Sequence, residues 1–185
     1  MPNIPARPVP TDIHLRPVVI SYSDGEGGSA GVGAAAWFPG HKRPVAVFSF
    51  VPQRIRDLWS RMAAKPEYKD IFLVEAVGPL ILLTAFPKLL RDALWLHFID
   101  NSAAEASLIS GSSGLQAADH IVGLTWEISG RRRLWPYFDR VASSSNPVDG
   151  LSRGDFKGQW RGVHNVEFPL ADLLQLADEC GGLDF

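Results

Sequence analysis

Cysteine and long apolar runs are scarce in this chain of 185 residues. Cys180 is the single cysteine, which excludes an intrachain disulfide and a cysteine-based zinc site and makes a reducing compartment the default. No stretch reaches the ~18 uninterrupted apolar residues that a membrane-spanning helix needs. The first ten residues lack the charged-then-apolar order of a signal peptide. The sequence therefore predicts a soluble intracellular protein, cytoplasmic or nuclear, with no membrane partner.

The composition, 46% hydrophobic and 21% charged, is typical of one globular domain and excludes collagen-like, coiled-coil and disordered chains. Residues 1–17 are rich in proline and predict an extended arm. Residues 18–168 predict the main domain. Residues 169–185 predict an acidic amphipathic helix and tail, with leucine on one face and Gly181 after the helix.

Apolar alternation and turn residues divide the main domain into strands and helices. Strands are predicted at 17–23, 32–38, 44–51, 93–99 and 134–142. Helices are predicted at 55–64, 71–86, 102–109 and 115–128, with a short one opening at Asn146-Pro147. This order predicts an α/β fold with a mixed five-stranded sheet, three antiparallel strands and then parallel ones, with helices on its faces.

Glu75 is the only ionisable side chain between Ile71 and Phe86. An unpaired buried charge is costly, so this carboxylate must reach solvent, become protonated or meet a cation. Pro79 cannot donate to the carbonyl of Glu75, which predicts a kink beside the acid.

Three more carboxylates stand at predicted strand ends or helix starts, and each also has a local explanation. Asp24 opens a glycine-rich turn, for which Asp is a usual residue. Asp100 follows the apolar strand 94–99, where Asp100 or Asn101 would cap the next helix. Asp149 fits a capping box after Asn146. Carboxylates that converge without a cation repel each other, and oxygen ligands suit Mg²⁺ or Mn²⁺.

Four motifs, taken in order, resemble those of the ribonuclease H family. They are Ser23-Asp24-Gly25, Val74-Glu75-Ala76, Asp100-Asn101-Ser102-Ala103 and Asn146-Pro147-Val148-Asp149-Gly150-Leu151-Ser152-Arg153. The likeness covers roughly residues 18–156 and is greatest to the domains that follow reverse transcriptases in retroelement polyproteins. Many family members carry a histidine in the loop before the last acid, where this chain has Ser143–Ser145.

The resemblance implies an endonuclease that cuts the RNA strand of RNA–DNA hybrids and leaves 5′-phosphate and 3′-hydroxyl ends. Asp24 would bridge two Mg²⁺ or Mn²⁺ ions. Glu75 and Asp100 would complete the ion near the leaving group, and Asp149 the ion that binds the attacking water. The implied partners are the hybrid and a reverse transcriptase domain of the same polyprotein.

The charge distribution is compatible with a nucleic-acid partner. The formal net charge is −2, but the last 21 residues hold five acids and no Lys or Arg, so the rest of the chain is basic. Candidate contacts are Arg54, Arg56, Arg131, Arg132 and Arg133 in basic clusters, with Asn101 and Arg153 in the motifs.

Two other functions remain open from the residues. One is a 3′–5′ exonuclease of the same general fold, because Asp24-Gly25-Glu26 matches the Asp-x-Glu opening of such enzymes. The other is a non-catalytic domain that binds nucleic acid or tethers a polymerase.

Overall fold

The computed structural model of the chain describes residues 12–63 and 71–169. In these ranges, the strands are β1 (Val18–Gly25), β2 (Gly31–Trp37), β3 (Val45–Phe50), β4 (Leu94–Ile99), β5 (Trp135–Arg140) and β6 (His164–Asn165). The α-helices are α1 (Gln53–Met62), α2 (Ile71–Ala76), α3 (Gly78–Ala85), α4 (Ser102–Ser110), α5 (Gln116–Arg131) and α6 (Asp149–Ser152). Short 3₁₀ turns occupy Ile13–Leu15, Ser143–Ser145 and Gly158–Trp160.

The strands form one mixed sheet in the order β5-β4-β1-β2-β3-β6. β1, β2 and β3 are an antiparallel meander, whereas β4 and β5 add in parallel beside β1. This confirms the predicted α/β architecture and is consistent with a ribonuclease H-like fold. The predicted count of five strands is one short, because His164–Asn165 pairs in parallel with β3 as a sixth strand. Two residues are too few to show an alternating pattern.

Helices α2 to α5 cover one face of the sheet, and α6 lies against the other. The buried side chains of β4, Trp95, His97 and Ile99, alternate with half-buried ones, as a strand with one covered face requires. β2 is instead buried along Gly31–Ala36, since α3 and α6 contact it. Its glycines and alanines allow that close approach.

The predicted helix 71–86 is divided into α2 and α3. Pro79 has no N–H for the carbonyl of Glu75, and the helices meet at Val77. A Cβ atom on Gly78 would lie 2.3 Å from the Cβ and Oγ of Ser23, so only glycine lets this junction rest on β1. The predicted kink beside Glu75 is confirmed. Asp70, which directly precedes the predicted helix and is of a residue type that caps helices, lies outside the described residues.

The two ends of the chain are described only in part. Of the predicted arm, Arg16 pairs with Asp12 at 3.2 Å and stacks on the ring of Trp135 at 4.0 Å. The predicted terminal helix lies outside the described residues beyond Pro169. None of the helices in the described ranges is long and apolar enough to span a membrane.

Candidate metal centre

Asp24, Glu75 and Asp100 come together at the end of the sheet where β1 and β4 finish. One carboxylate oxygen from each lies within 4.8 Å of the others. β1 and β4 are parallel neighbours, so Asp24, near the end of β1, and Asp100, directly after β4, share an edge. Glu75 reaches this edge from α2. We call these three residues the acidic triad. The triad is placed to bind a metal ion.

Glycine at position 25 brings α2 against β1. A Cβ atom there would be 3.0 Å from the backbone nitrogen of Glu75 and from Val74, tighter than most such contacts. The backbone of Gly25 also hydrogen-bonds the Glu75 carboxylate. The glycine after Asp24, which the sequence explains as a turn residue, therefore closes the gap between two members of the triad.

On the other side of the sheet, Ser152 holds Asp24. The Ser152 hydroxyl donates to Oδ2 of Asp24 and is fully buried. A Cβ atom on Gly33 would lie 2.6 Å from the backbone nitrogen of Ser152, so glycine in β2 admits α6. The sequence alone indicates no role for Ser152, although this residue stands within the Asp149 motif.

Burial and mutual repulsion shape the electrostatics of the triad. Burial, more than the nearby charge of Asp24, raises the pKa of Glu75 to about 9. Burial also raises the pKa of Asp24 to about 7, although the hydrogen bond from Ser152 opposes the rise. Glu75 is 6% exposed, and its Oε2 has no hydrogen-bond partner among the described residues. A buried, charged carboxylate without a partner is costly unless a proton or a cation neutralises it.

Asp149 lines the same cavity of about 480 Å³ but is not a member of the triad. It is the first residue of α6, not the third helical residue of a capping box, and its Oδ1 lies 2.6 Å from Nη2 of Arg153. Asn146 donates from Nδ2 to the carbonyl oxygen of Ser23 at 3.0 Å, which ties this loop to β1. Asp149, predicted as a metal ligand, thus lies beside the triad and is paired with the guanidinium group of Arg153.

Glu26, the second acid of the exonuclease-like Asp-x-Glu, is engaged by its own turn. Its carboxylate accepts from the backbone of Gly28 at 2.8 Å and from the backbone and hydroxyl of Ser29. The hydroxyl of Ser29 is the main cause that lowers the pKa of Glu26 to about 2. Glu26 lines the cavity but does not join the triad.

The predicted nucleic-acid contacts are dispersed. Asn101 caps α4, since its Oδ1 accepts from the backbone nitrogens of Ala103 and Ala104 at 3.0 and 3.1 Å. Arg54 and Arg56 lie in the first turn of α1 and do not line the cavity. Arg153 does line it.

Arg131–Arg133 lie at the opposite end of the sheet from the triad. They precede β5, whose first residue Trp135 pairs with Leu94 at the start of β4, whereas Asp100 follows its end. The length of β4 between them is about 17 Å. Their contacts are Arg131 with Glu127, Arg133 with Asp92, and Arg132 with the carbonyl oxygen of Leu83.

A buried polar network beneath Asp24 escaped sequence analysis. His97 is fully buried, with Nδ1 2.7 Å from the hydroxyl of Ser21 and Nε2 2.9 Å from that of Ser23. Trp95 donates to the same Ser21 hydroxyl at 2.7 Å. Burial lowers the pKa of His97 to about 3, so it is neutral. The alternation of β4 put His97 on the covered face, but only the fold shows its partners.

Comparison with models of known protein families gave no match, and none of the curated proteins is significantly similar to this chain. The functional assignment therefore rests on the residues and their geometry.

Proposed function

We propose that the protein is a metal-dependent endonuclease of the ribonuclease H type that cuts the RNA strand of RNA–DNA hybrids. The observation that carries the proposal is the buried Oε2 of Glu75, unpartnered and beside the carboxylates of Asp24 and Asp100. A purely structural acid would have both carboxylate oxygens hydrogen-bonded or would reach solvent. The motif order and the mixed sheet support the nuclease over other metal-binding functions.

The ligand chemistry supports Mg²⁺ or Mn²⁺. The triad offers only carboxylate oxygens, which suit hard divalent cations. Bound there, such cations would activate a water and offset the charge that builds up on the phosphate. Two ions are proposed, with Asp149 as an additional ligand at the rim of the cavity.

Around the cation, residues of this chain hold the ligands in place. Ser152 fixes Oδ2 of Asp24, which leaves Oδ1 available to a cation between the three carboxylates. Gly25 gives the backbone contact that holds the Glu75 carboxylate. Because packing and hydrogen bonds fix these two carboxylates, their geometry stays the same when a cation binds or leaves.

The substrate assignment rests on the resemblance and on the charge at the cavity. Arg153 is a basic residue on its lining, suited to a phosphate of the bound strand. Choice of RNA would depend on the 2′-hydroxyl and on the groove shape of the hybrid. A reverse transcriptase domain is the proposed partner within a polyprotein.

Hydrolysis of an end-labelled RNA–DNA hybrid tests the proposal. We expect internal cuts in the RNA strand with Mg²⁺ or Mn²⁺, none with EDTA, and 5′-phosphate ends on the new fragments. Asp24→Asn should reduce cleavage to background, whereas the exposed control Asp57→Asn on α1 should retain it. A circular hybrid separates the alternatives, since an exonuclease needs an end. Failure of wild-type protein to cut either hybrid would refute the proposal.

A further inference from the structure

The side chain of Arg153 has two anionic groups as candidate partners: the carboxylate of Asp149 and a phosphate of the proposed substrate. Its Nη2 lies 2.6 Å from Oδ1 of Asp149, one helical turn earlier. Both residues line the cavity with the triad. Both charges also act on Asp24, where Asp149 raises the pKa and Arg153 lowers it. Arg153 therefore neutralises the one cavity acid that the sequence predicted as a ligand and that the triad leaves out.

This ion pair is exposed enough to break readily. The side chain of Arg153 is 63% exposed and that of Asp149 is 38% exposed. Exposed pairs contribute little to stability, because solvent screens them and two side chains must be ordered. The contact joins one guanidinium nitrogen to one carboxylate oxygen, whereas guanidinium can bind phosphate through two parallel hydrogen bonds. A phosphate at the cavity can thus compete for Arg153.

We propose, building on the proposed function, that Arg153 exchanges partners when a nucleic-acid strand binds. In the free protein it pairs with Asp149 and competes with a cation for that carboxylate. When a phosphate of the strand reaches the cavity, Arg153 moves to it, and Asp149 becomes available to a divalent cation beside the triad. In this way Arg153 is a positioning residue that couples the cation affinity of Asp149 to phosphate binding.

Hybrid affinity in EDTA tests the exchange without metal or cleavage. Asp149→Asn releases Arg153, so we expect hybrid binding to tighten about fivefold. Arg153→Ala should weaken binding, and the double variant should bind like Arg153→Ala, with the gain from Asp149→Asn gone. If the gain persists in the double variant, Asp149 acts by simple repulsion and the exchange is wrong. Wild-type protein that does not bind the hybrid also overturns it.

Calorimetric titration with Ca²⁺ supplies a second readout. We expect free Arg153→Ala to bind Ca²⁺ about fivefold more tightly than free wild-type protein, because Asp149 loses its competing partner, and hybrid to tighten Ca²⁺ binding by wild type. Arg153→Gln should match Arg153→Ala if the alanine variant unfolds. Arg131→Ala is the matched control, since it breaks another exposed i,i+4 pair, that with Glu127. Equal Ca²⁺ affinity of free wild type and free Arg153→Ala refutes the exchange, whereas no Ca²⁺ binding by any of them refutes the metal site itself.

Discussion

Glu75 makes the metal-free protein less stable as pH rises, and Glu75→Gln should reverse this effect. The pKa of the buried carboxyl is about 9, against 4.5 for an ordinary Glu, so between those values the folded chain keeps a proton that the unfolded chain has released. Stability from this group is therefore lost as pH rises through that window. Asp24, with a pKa near 7 against 3.8, acts in the same direction.

The size of this loss of stability follows from the one proton that the folded chain keeps on Glu75 and the unfolded chain releases. Each pH unit in the window costs about 1.4 kcal/mol, which amounts to about 4 kcal/mol between pH 5 and pH 8. Water that enters the cavity lowers this figure, so we expect Glu75→Gln to raise the free energy of unfolding by about 2 to 4 kcal/mol at pH 8. At pH 5 the gain should be below about 1 kcal/mol.

Urea denaturation in EDTA at both pH values, followed by tryptophan fluorescence, measures the difference. Glu167→Gln makes the same chemical change at an exposed position near the described end of the chain and should leave stability unchanged at either pH. Equal stability of wild type and Glu75→Gln at pH 8 would show that the Glu75 carboxylate is not buried without a compensating partner.

The remaining predictions concern the metal and the packing around it. Mg²⁺ or Mn²⁺ should raise the Tm of wild-type protein in a concentration-dependent way and leave that of Asp24→Asn unchanged, as measured by calorimetry. Ser152→Ala should lower metal affinity or hybrid cleavage about 10- to 100-fold, because Asp24 loses the hydroxyl that orients it. Gly33→Ala should cost about 1 to 3 kcal/mol in urea denaturation because the new methyl meets the backbone of α6. Gly123→Ala in α5, where a Cβ atom meets nothing within 4 Å, is its control. The logarithm of the hybrid binding constant should fall linearly with the logarithm of the salt concentration, and a binding constant independent of salt would exclude phosphate contacts.

The sequence predicted the parts of the site that depend on local pattern. The strand ends at Asp24 and Asp100 were predictable from apolar alternation, and the parallel pairing of β1 with β4, which the structure shows, brings the two acids together. Glu75 was recognisable because a charge within an apolar run requires compensation. The predicted local role of Asn101 as a helix cap is also what the structure shows.

Long-range packing set the features that the sequence did not predict. The role of Ser152 depends on how closely α6 approaches β2, which Gly31 and Gly33 allow from more than a hundred residues away. The Arg131–Arg133 cluster was grouped with the site by charge, but the direction of α5 carries it to the far end of β4. Charge alone carries no information about which end of the sheet a residue occupies.

The proposed function depends on the binding of divalent cations by the acidic triad. Anomalous diffraction from crystals soaked in Mn²⁺ tests it most directly. We expect a peak in contact with carboxylate oxygens of Asp24, Glu75 and Asp100, and a second peak about 4 Å away when hybrid is bound. An anomalous map with no peak within coordination distance of Glu75 would show that the triad is not a metal site.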